Sequence, residues 1–469
     1  MQFRRTVVLT GLILLGIVLA QALPSPFGLT PIQKNTFFLF LGTILAILWN
    51  RFPIPVIVLV ALAVGMVLQV MTLEQALRGY SSTVTWIILM AFIFARTFVK
   101  TGLGRRIALL LIRHLGSSSL RLGYCFALSD LVLAPVTPSN TARAGGILYP
   151  IARSLVLEFN SKPGESSRKI GAYILFTVYQ SNIVTSAMFL TAMAANGLSA
   201  QLAVTSAGVK LDWITWFQAA SVPGICSLLL VPWVIYLAYP PQMHRTPEAP
   251  RFASRELAAL GPMSGDERIL ASIFVLLGLT WASAGWHGTS TVAASFSAIC
   301  LLLLGGVLNK EDITRESSAW ETFLWFGGIL SIAGAVSDSG LIQQLVSGLG
   351  ARLELWNPMV ILVFMTVLYM YLHYLFASMT AQIIALYAAF VTLAVSAGVP
   401  PLLSALVLAF FSNLYACLTH YGDGAGPIFF GSGYIELKDW WKVGFLLSLL
   451  HLVVWLGIGC LWWRMIGIY

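Results

Sequence analysis

Apolar runs of roughly 18 to 25 residues follow one another from Thr6 to Trp463, and no other feature narrows the folding options of this chain so far. Each run is long enough to cross a hydrocarbon core about 30 Å thick as an α-helix, with its backbone polar groups satisfied inside the segment. The runs do not alternate polar with apolar positions, so a transmembrane β-barrel is excluded. Only 10% of the 469 residues are charged against 58% hydrophobic, a balance that a water-soluble domain of this length does not carry. The expectation is an all-α polytopic membrane protein of about 11 transmembrane helices with the lipid bilayer as its solvent.

The 27 Lys and Arg exceed the 18 Asp and Glu, but these cations sit in short loops between apolar runs and form no stripe along one face. They report topology, and no nucleic-acid partner is implied. Cys125, Cys226, Cys300, Cys417 and Cys460 lie far apart in apolar segments without a C-x-x-C pair, so neither a disulfide framework nor a metal site is indicated.

Cations are retained on the cytoplasmic side, so Arg4 and Arg5 put the N-terminus inside and residues 1–25 form a first transmembrane helix. The same stretch, with Ala20-Gln21-Ala22 at its end, has the make-up of a cleavable signal peptide, but the remaining topology needs it as a span. Residues 26–242 form a first repeat, with Arg51, Lys100, Arg105 and Arg106 cytoplasmic. Within it the apolar material 122–157 is interrupted from Ala134 to Asn140 by two prolines, which predicts a re-entrant helical hairpin. Its feet carry Arg113, Arg121, Lys162, Arg168 and Lys169, and a broken helix at 171–196 follows. Residues 243–268, with Arg245, Arg251, Arg255 and Arg268, read as a cytoplasmic linker.

Residues 269–469 then repeat the plan in the opposite orientation, with a hairpin at 358–396, a broken helix at 400–434 and the C-terminus outside. Thr101-Gly102-Leu103 matches Ser339-Gly340-Leu341, and Ser139 matches Ser378, at an offset of 238 to 239 residues. Inverted repeats with broken helices are the architecture of secondary transporters, whose sites lie between the repeats near the membrane midplane. The cell inner membrane is the expected location.

The first hairpin tip runs Pro138-Ser139-Asn140-Thr141-Ala142-Arg143. Hydroxyls, an amide and the N–H groups of a starting half-helix are what a carboxylate requires. The second tip, Ser378-Met379-Thr380, repeats the hydroxyl pair with Met379 where the first has Asn140. In both, capping of the half-helix is the simpler role of Ser and Thr. Each hairpin precedes a helix with a polar break, the first holding Asn182, Thr185, Ser186 and Thr191, the second Asn413, Thr419, His420 and Gly422. Gly422, Gly424 and Gly426 around Asp423 force unwinding there. Asn182 and Asn413 have helix bridging as their alternative role. Asp130 needs a partner in the membrane, and either Arg143 or one of Arg105, Arg106 and Arg113 can supply it.

The motifs PSNTARAGGILYPIA from Pro138, TSAMFLTAMAAN from Thr185 and THYGDGAGPIFFGSGY from Thr419 closely resemble the divalent anion:sodium symporter family, in particular its exchanger branch of plastid dicarboxylate translocators and bacterial citrate/succinate or tartrate/succinate antiporters. The resemblance implies a scaffold domain and a transport domain, a homodimer, and an elevator-type movement. It also implies that Ser139, Asn140, Thr141, Ser378, Met379 and Thr380, helped by Thr185, Ser186, Thr419 and Gly422, bind small di- or tricarboxylate anions. Three positions depart from the pattern: Met379 replaces a second Asn, Gln382 stands where exchangers commonly have His, and Asp423 replaces a neutral residue.

Arg143, Gln382, His420 and Asp423 are the groups expected to balance or couple charge. No cofactor is implied. Arg143 carries a charge that does not titrate and can occupy the room a sodium ion would fill, which favours sodium-independent exchange of C4 dicarboxylates, 2-oxoglutarate or citrate over sodium symport. A sodium-coupled symporter and an anion channel are the alternatives, and counterflow separates carrier from channel. The chain is not expected to be an enzyme: it lacks the G-x-x-x-x-G-K-[ST] loop of a primary pump, and Gly422-Asp423-Gly424 is not the Gly-x-Gly-Asp of an intramembrane aspartyl protease.

Overall fold

The computed structural model describes residues 29–49, 51–341, 344 and 356–469. The expected span at 1–25 and the segment around Arg352 lie outside them. Among the described residues there are helices and no strands. Eight helical segments are long and apolar enough to cross a bilayer, and three shorter apolar helices accompany them.

Helices α1 (Pro31–Trp49), α2 (Ile54–Val67) and α3 (Thr83–Thr101) lead into α4 (Leu103–Leu115). The first hairpin descends along α5 (Ser119–Leu133) and returns through a π-helical turn, Ala142–Leu148, into α6 (Tyr149–Glu158). The first broken helix is α7 (Gly171–Met188) and α8 (Ala194–Ala207), followed by α9 (Trp213–Ala238). It runs 11 residues past the 196 end that its sequence suggests.

After α10 (Glu248–Leu260), the second half brings α11 (Gly265–Ala282), α12 (Thr291–Leu304) and α13 (Ser317–Asp338). Its hairpin descends along α14 (Pro358–Tyr371) and returns through Met379–Gln382 and a π-helical turn, Ile383–Tyr387, into α15 (Ala388–Ser396). The second broken helix is α16 (Pro401–Leu414) and α17 (Gly426–Gly431), and α18 (Leu437–Val453) continues through a further π turn to Met465.

Local chemistry sets these boundaries. Proline in the first turn opens α2, α14 and α16, where its missing N–H costs nothing. Asn357 caps α14 by accepting from the Met359 amide at 2.9 Å. α3 ends at Gly102 with φ +78°, and Gly340, two residues after α13, has φ +69°. The repeat first seen as matching tripeptides is therefore also a matching left-handed stop.

The core is built on α7 and α16. All 18 residues of α7 are buried, as are Leu403–Leu414 of α16, which explains why neither shows an apolar stripe: a helix apolar all round is one surrounded by others. The outer helices carry the opposite signature. Val67, Leu229, Leu237, Val453 and Leu461 are each more than half exposed, as befits side chains facing lipid. The buried tryptophans of the α18 extension tie it to α9, with Trp455 Nε1 donating to Ser227 Oγ at 3.0 Å and Trp463 Nε1 to the Ala219 carbonyl at 2.8 Å.

α4 is a helix that the hydropathy pattern does not mark as a span. It buries Leu103, Ala108, Leu109 and Ile112, and of its arginines Arg105 and Arg113 are exposed while Arg106 is largely covered. Arg106 makes a two-pronged bond to Glu267 at 2.7 and 3.0 Å, and Arg105 reaches Glu256 of α10 at 2.5 Å. The segment 243–268 is thus held against the first half by a largely buried, bidentate pair, the geometry in which an ion pair does stabilise.

Candidate functional site

The two hairpin tips are built alike. Ser139 Oγ accepts from the Ala142 amide at 3.1 Å, and Ser378 Oγ from the Ala381 amide at 3.4 Å, so each serine caps the returning arm. The backbone repeats the match, with Arg143 N bonded to Ser139 O at 3.0 Å and Gln382 N to Ser378 O at 3.2 Å. In each arm the first amides, of Asn140 and Thr141 and of Met379 and Thr380, have no carbonyl one turn earlier to bond, and they open a helix at its positive end.

Both tips line one cavity of about 310 Å³. Tip 1 contributes Pro138, Ser139, Asn140 and Thr141, and tip 2 contributes Ala377, Ser378, Met379 and Thr380. Between them lie Met193, Ala194 and Ala195 at the start of α8, with Asp423 and Gly424 from the second break. Phe92 of α3 and Thr322 and Trp325 of α13 close the remaining side. The volume is at the low end of ligand pockets, about 300 to 1,000 Å³, as a small ligand requires. Asp423 is the one ionisable group in this wall among the described residues.

Both breaks are fastened to the tips. In the first, Asn196 Nδ2 donates to the carbonyls of Ser186 at 2.8 Å and Phe189 at 3.0 Å, which the break would otherwise leave bare. The Ala194 amide bonds Pro138 O at 3.0 Å, and Thr191 Oγ1 donates to Pro135 O. In the second, Tyr415 OH donates to Met379 O at 3.0 Å. Asp423 reaches across to tip 1, accepting from Asn140 Nδ2 at 2.7 Å, from Tyr179 OH at 3.1 Å and from the Gly426 amide at 2.7 Å. Phe176, Tyr179, Phe429, Phe430 and Trp440 form linked ring contacts around this segment, with centroids 4.9 to 5.8 Å apart.

Behind tip 1, Arg143 is fully buried and all five of its N–H groups are taken. Nε bonds Asp130 Oδ1 at 2.9 Å, Nη1 the carbonyls of Thr137 at 2.9 Å and Ala192 at 3.0 Å, and Nη2 Ser186 Oγ at 2.8 Å and Thr185 Oγ1 at 3.4 Å. Of the possible partners for Asp130, the structure selects Arg143. Asn182 also donates to both Asp130 oxygens at 3.1 Å, and Thr185 Oγ1 bonds Oδ2.

Behind tip 2 the equivalent positions are neutral. Gln382, 239 residues after Arg143, donates to the carbonyl of Tyr369, itself 239 residues after Asp130, at 2.7 Å, and accepts from His373 Nδ1 at 2.7 Å. His373 stacks on Tyr415 with centroids 4.0 Å apart. A Cβ on Gly422 would stand 2.4 Å from His373 Nε2 and 2.8 Å from Thr419 Oγ1.

Of the residues singled out from sequence, Ser139, Asn140, Thr141, Ser378, Met379, Thr380 and Asp423 meet at the cavity. Thr185, Ser186 and Arg143 lie one layer behind tip 1, and Gln382, Thr419 and Gly422 gather around His373 behind tip 2. His420 turns towards Phe430, with centroids 4.3 Å apart. Asn182 and Asn413 bridge, the latter donating to Asn196 Oδ1 at 2.7 Å. Sequence reasoning missed Phe92, Thr322 and Trp325, which sit in ordinary apolar spans with no local signal. It also passed over His373, whose spacing of nine residues before Gln382 was the available clue.

The family model described as the sodium:sulfate symporter transmembrane region matches residues 4–469. The chain is 42% identical over 448 residues to YflS of Bacillus subtilis (strain 168), covering 95% of this chain and 94% of that one. It is 40% identical over 465 residues to the chloroplastic dicarboxylate transporter 1 of Spinacia oleracea, covering 97% and 81% respectively. Among solved structures, the YdaH transporter of Alcanivorax borkumensis superposes with a TM-score of 0.56 at 15% identity over 86% of this chain and 89% of that one, a likeness of fold.

Proposed function

This chain belongs to the sodium:sulfate symporter family of membrane transporters and is not an enzyme, and from that membership we propose that it is a secondary carrier that exchanges small dicarboxylates across the cell inner membrane. The observation that carries the reading is the single small cavity into which two half-helix N-termini open, each with a Ser and a Thr at its mouth. A dicarboxylate has an anionic group at each end, and each tip offers one set of donors aligned with a positive helix end. Similarity to a plant dicarboxylate transporter supports the same substrate class.

Exchange is favoured over sodium symport by what lies behind the tips. Arg143 fills that position in the first half and Gln382 with His373 in the second, and Met379 withholds the second amide. The unoccupied cavity is also costly to move, since donors left without a partner in a low dielectric cost about 1–3 kcal/mol each. A carrier with several such donors crosses readily only when loaded, which is obligatory exchange. The proposed movement is of elevator type, with the two hairpins and broken helices travelling past α3 and α13 within each half of a homodimer, the N-terminus cytoplasmic and the C-terminus outside.

Proteoliposomes test this directly. Labelled succinate should enter vesicles preloaded with succinate or malate, not empty ones, and replacing sodium by choline should change nothing. Loading with 2-oxoglutarate or citrate in turn ranks the substrates. Net uptake into empty vesicles driven by an inward sodium gradient, as fast as exchange, would refute the antiport reading, and conduction without counterflow would make the protein a channel.

A further inference from the structure

Asp423 is out of keeping with a cavity for dianions. It is 4% exposed, lines the cavity beside Asn140 and Thr141, and has no cation among its bonded partners. Its three donors are an amide, a phenol and a backbone N–H, none of which can cancel a charge. The groups around it are equally unable to do so. From α7 it faces Tyr179, from tip 1 Asn140 and Thr141, and from α17 the Gly426 amide. Arg143 is committed to Asp130, His373 is turned to Gln382 and Gly422, and on its own segment His420 packs on Phe430 while Tyr421 donates to Tyr374 O. A carboxylate left ionised there opposes any dicarboxylate that binds.

The two oxygens of Asp423 are not equivalent. Oδ1 holds Tyr179 OH and the Gly426 amide, whereas Oδ2 has only Asn140 Nδ2, at 2.7 Å. Asn140, the tip residue bonded there, can either donate or accept at that point, because an amide presents N–H on one side and C=O on the other. An ionised Asp423 accepts only, so it holds the Asn140 N–H away from the cavity. A proton on Oδ2 is a donor, and it pairs with Asn140 Oδ1 once the amide turns over, which directs the Asn140 N–H groups to the ligand. Tyr179 OH has a second acceptor ready, the Ala416 carbonyl at 3.0 Å.

We infer that Asp423 is a proton site of the transport cycle, at which one proton is taken up on Oδ2 with each dicarboxylate dianion and released with it on the other side. The inference rests on the carrier reading above and deepens it by naming a proton as the co-substrate. In the balance, H⁺ and the dianion enter from one side, Asp423 becomes a neutral acid, and both leave on the other, restoring the carboxylate. In one-for-one exchange the proton travels with the substrate each way.

The test is proton uptake on binding. Purified wild-type protein in weakly buffered detergent solution, titrated with succinate above the pH at which succinate itself titrates, should take up close to one proton per succinate bound. Its succinate affinity should fall by up to tenfold per pH unit between about pH 6.5 and 8.5. In D423N, whose amide stands in for the protonated acid, uptake should vanish and the pH slope should flatten. Exchange in the wild type with no proton taken up, or an unchanged slope in D423N, overturns the inference alone. Aspartate exchange lost in D423N while succinate exchange keeps its pH slope also overturns it, since Asp423 would then hold an ammonium group. If wild-type protein exchanges no dicarboxylate at any pH, the carrier reading falls first and this one with it. The wild-type proton count needs no variant, so misfolding of D423N does not shelter the proposal.

Discussion

Breaking the Asp130–Arg143 pair offers the sharpest energetic check on the fold around tip 1. Both side chains are fully buried, with 2.9 Å between Nε and Oδ1. Replacing Arg143 by Gln strands a carboxylate that keeps only Asn182 and Thr185 as donors. Removing one partner of a buried pair costs about 3–5 kcal/mol. The carbonyls of Thr137 and Ala192 lose their shared Nη1 as well, so the cost should fall in the upper part of that range. Asp130→Asn alone should cost a similar amount by stranding the guanidinium.

The double variant should recover about 2–3 kcal/mol of the summed cost, because both groups are then neutral amides. The second half of the molecule is the precedent, since Gln382 at the equivalent position already bonds a carbonyl of its facing arm. Equilibrium unfolding of the four proteins in mixed micelles, followed by tryptophan fluorescence, closes the cycle. Costs that add to within about 0.5 kcal/mol would show the pair to be uncoupled and refute the reasoning.

Three further outcomes are expected. Thr141→Ala removes a cavity hydroxyl that the proposed function has bonding a carboxylate, a bond of about 1.5–3 kcal/mol, and should raise the KM for succinate roughly ten- to a hundredfold without lowering the folded yield; an unchanged KM counts against the site. Gly424→Ala puts a Cβ 2.4 Å from Thr141 Oγ1 and should abolish exchange while the protein still elutes as a single species, whereas wild-type exchange would mean that this contact is not kept in the cycle. Single cysteines at exposed Lys162 and Ser396 should label from opposite sides of the membrane, Ser396 being preferable to its neighbour Gly398, whose φ of +83° resists a side chain; labelling of both from one side would overturn the inverted arrangement.

The hairpins and the breaks were legible because they violate the rules of a continuous apolar helix. Pro135 and Pro138 cannot continue one, and Gly422, Gly424 and Gly426 have little reason to. The tips were legible as capping residues in apolar surroundings, where a hydroxyl or amide needs a partner. What could not be read was depth. Thr185 and Ser186 look like cavity residues in sequence, yet they face Arg143, because the phase of α7 relative to the hairpin is set by tertiary packing. Trp325 and Phe92 carry no local mark at all, since a residue that closes a cavity from a neighbouring helix resembles any other apolar residue of its own helix. Arg143 shows the same limit from the other side: its type and spacing announced a charge near the tip and left its pairing with Asp130 as one of two options, and the structure decides for it.

The π-helical turns that follow both tips, Ala142–Leu148 and Ile383–Tyr387, give the arms room for one change in length and no more. A π turn holds one residue more than the α turn it replaces, and each residue advances the helix by about 100°. Deleting a single residue from either turn would let the arm relax to regular α-helix with its tip nearly in phase, because an α turn closes the same rotation with one residue fewer, whereas deleting two would rotate the tip by about 100° and carry Asn140 and Thr141, or Met379 and Thr380, off the cavity wall together. Random deletion across the gene should therefore find loss of one residue in these two short segments far better tolerated than loss of two.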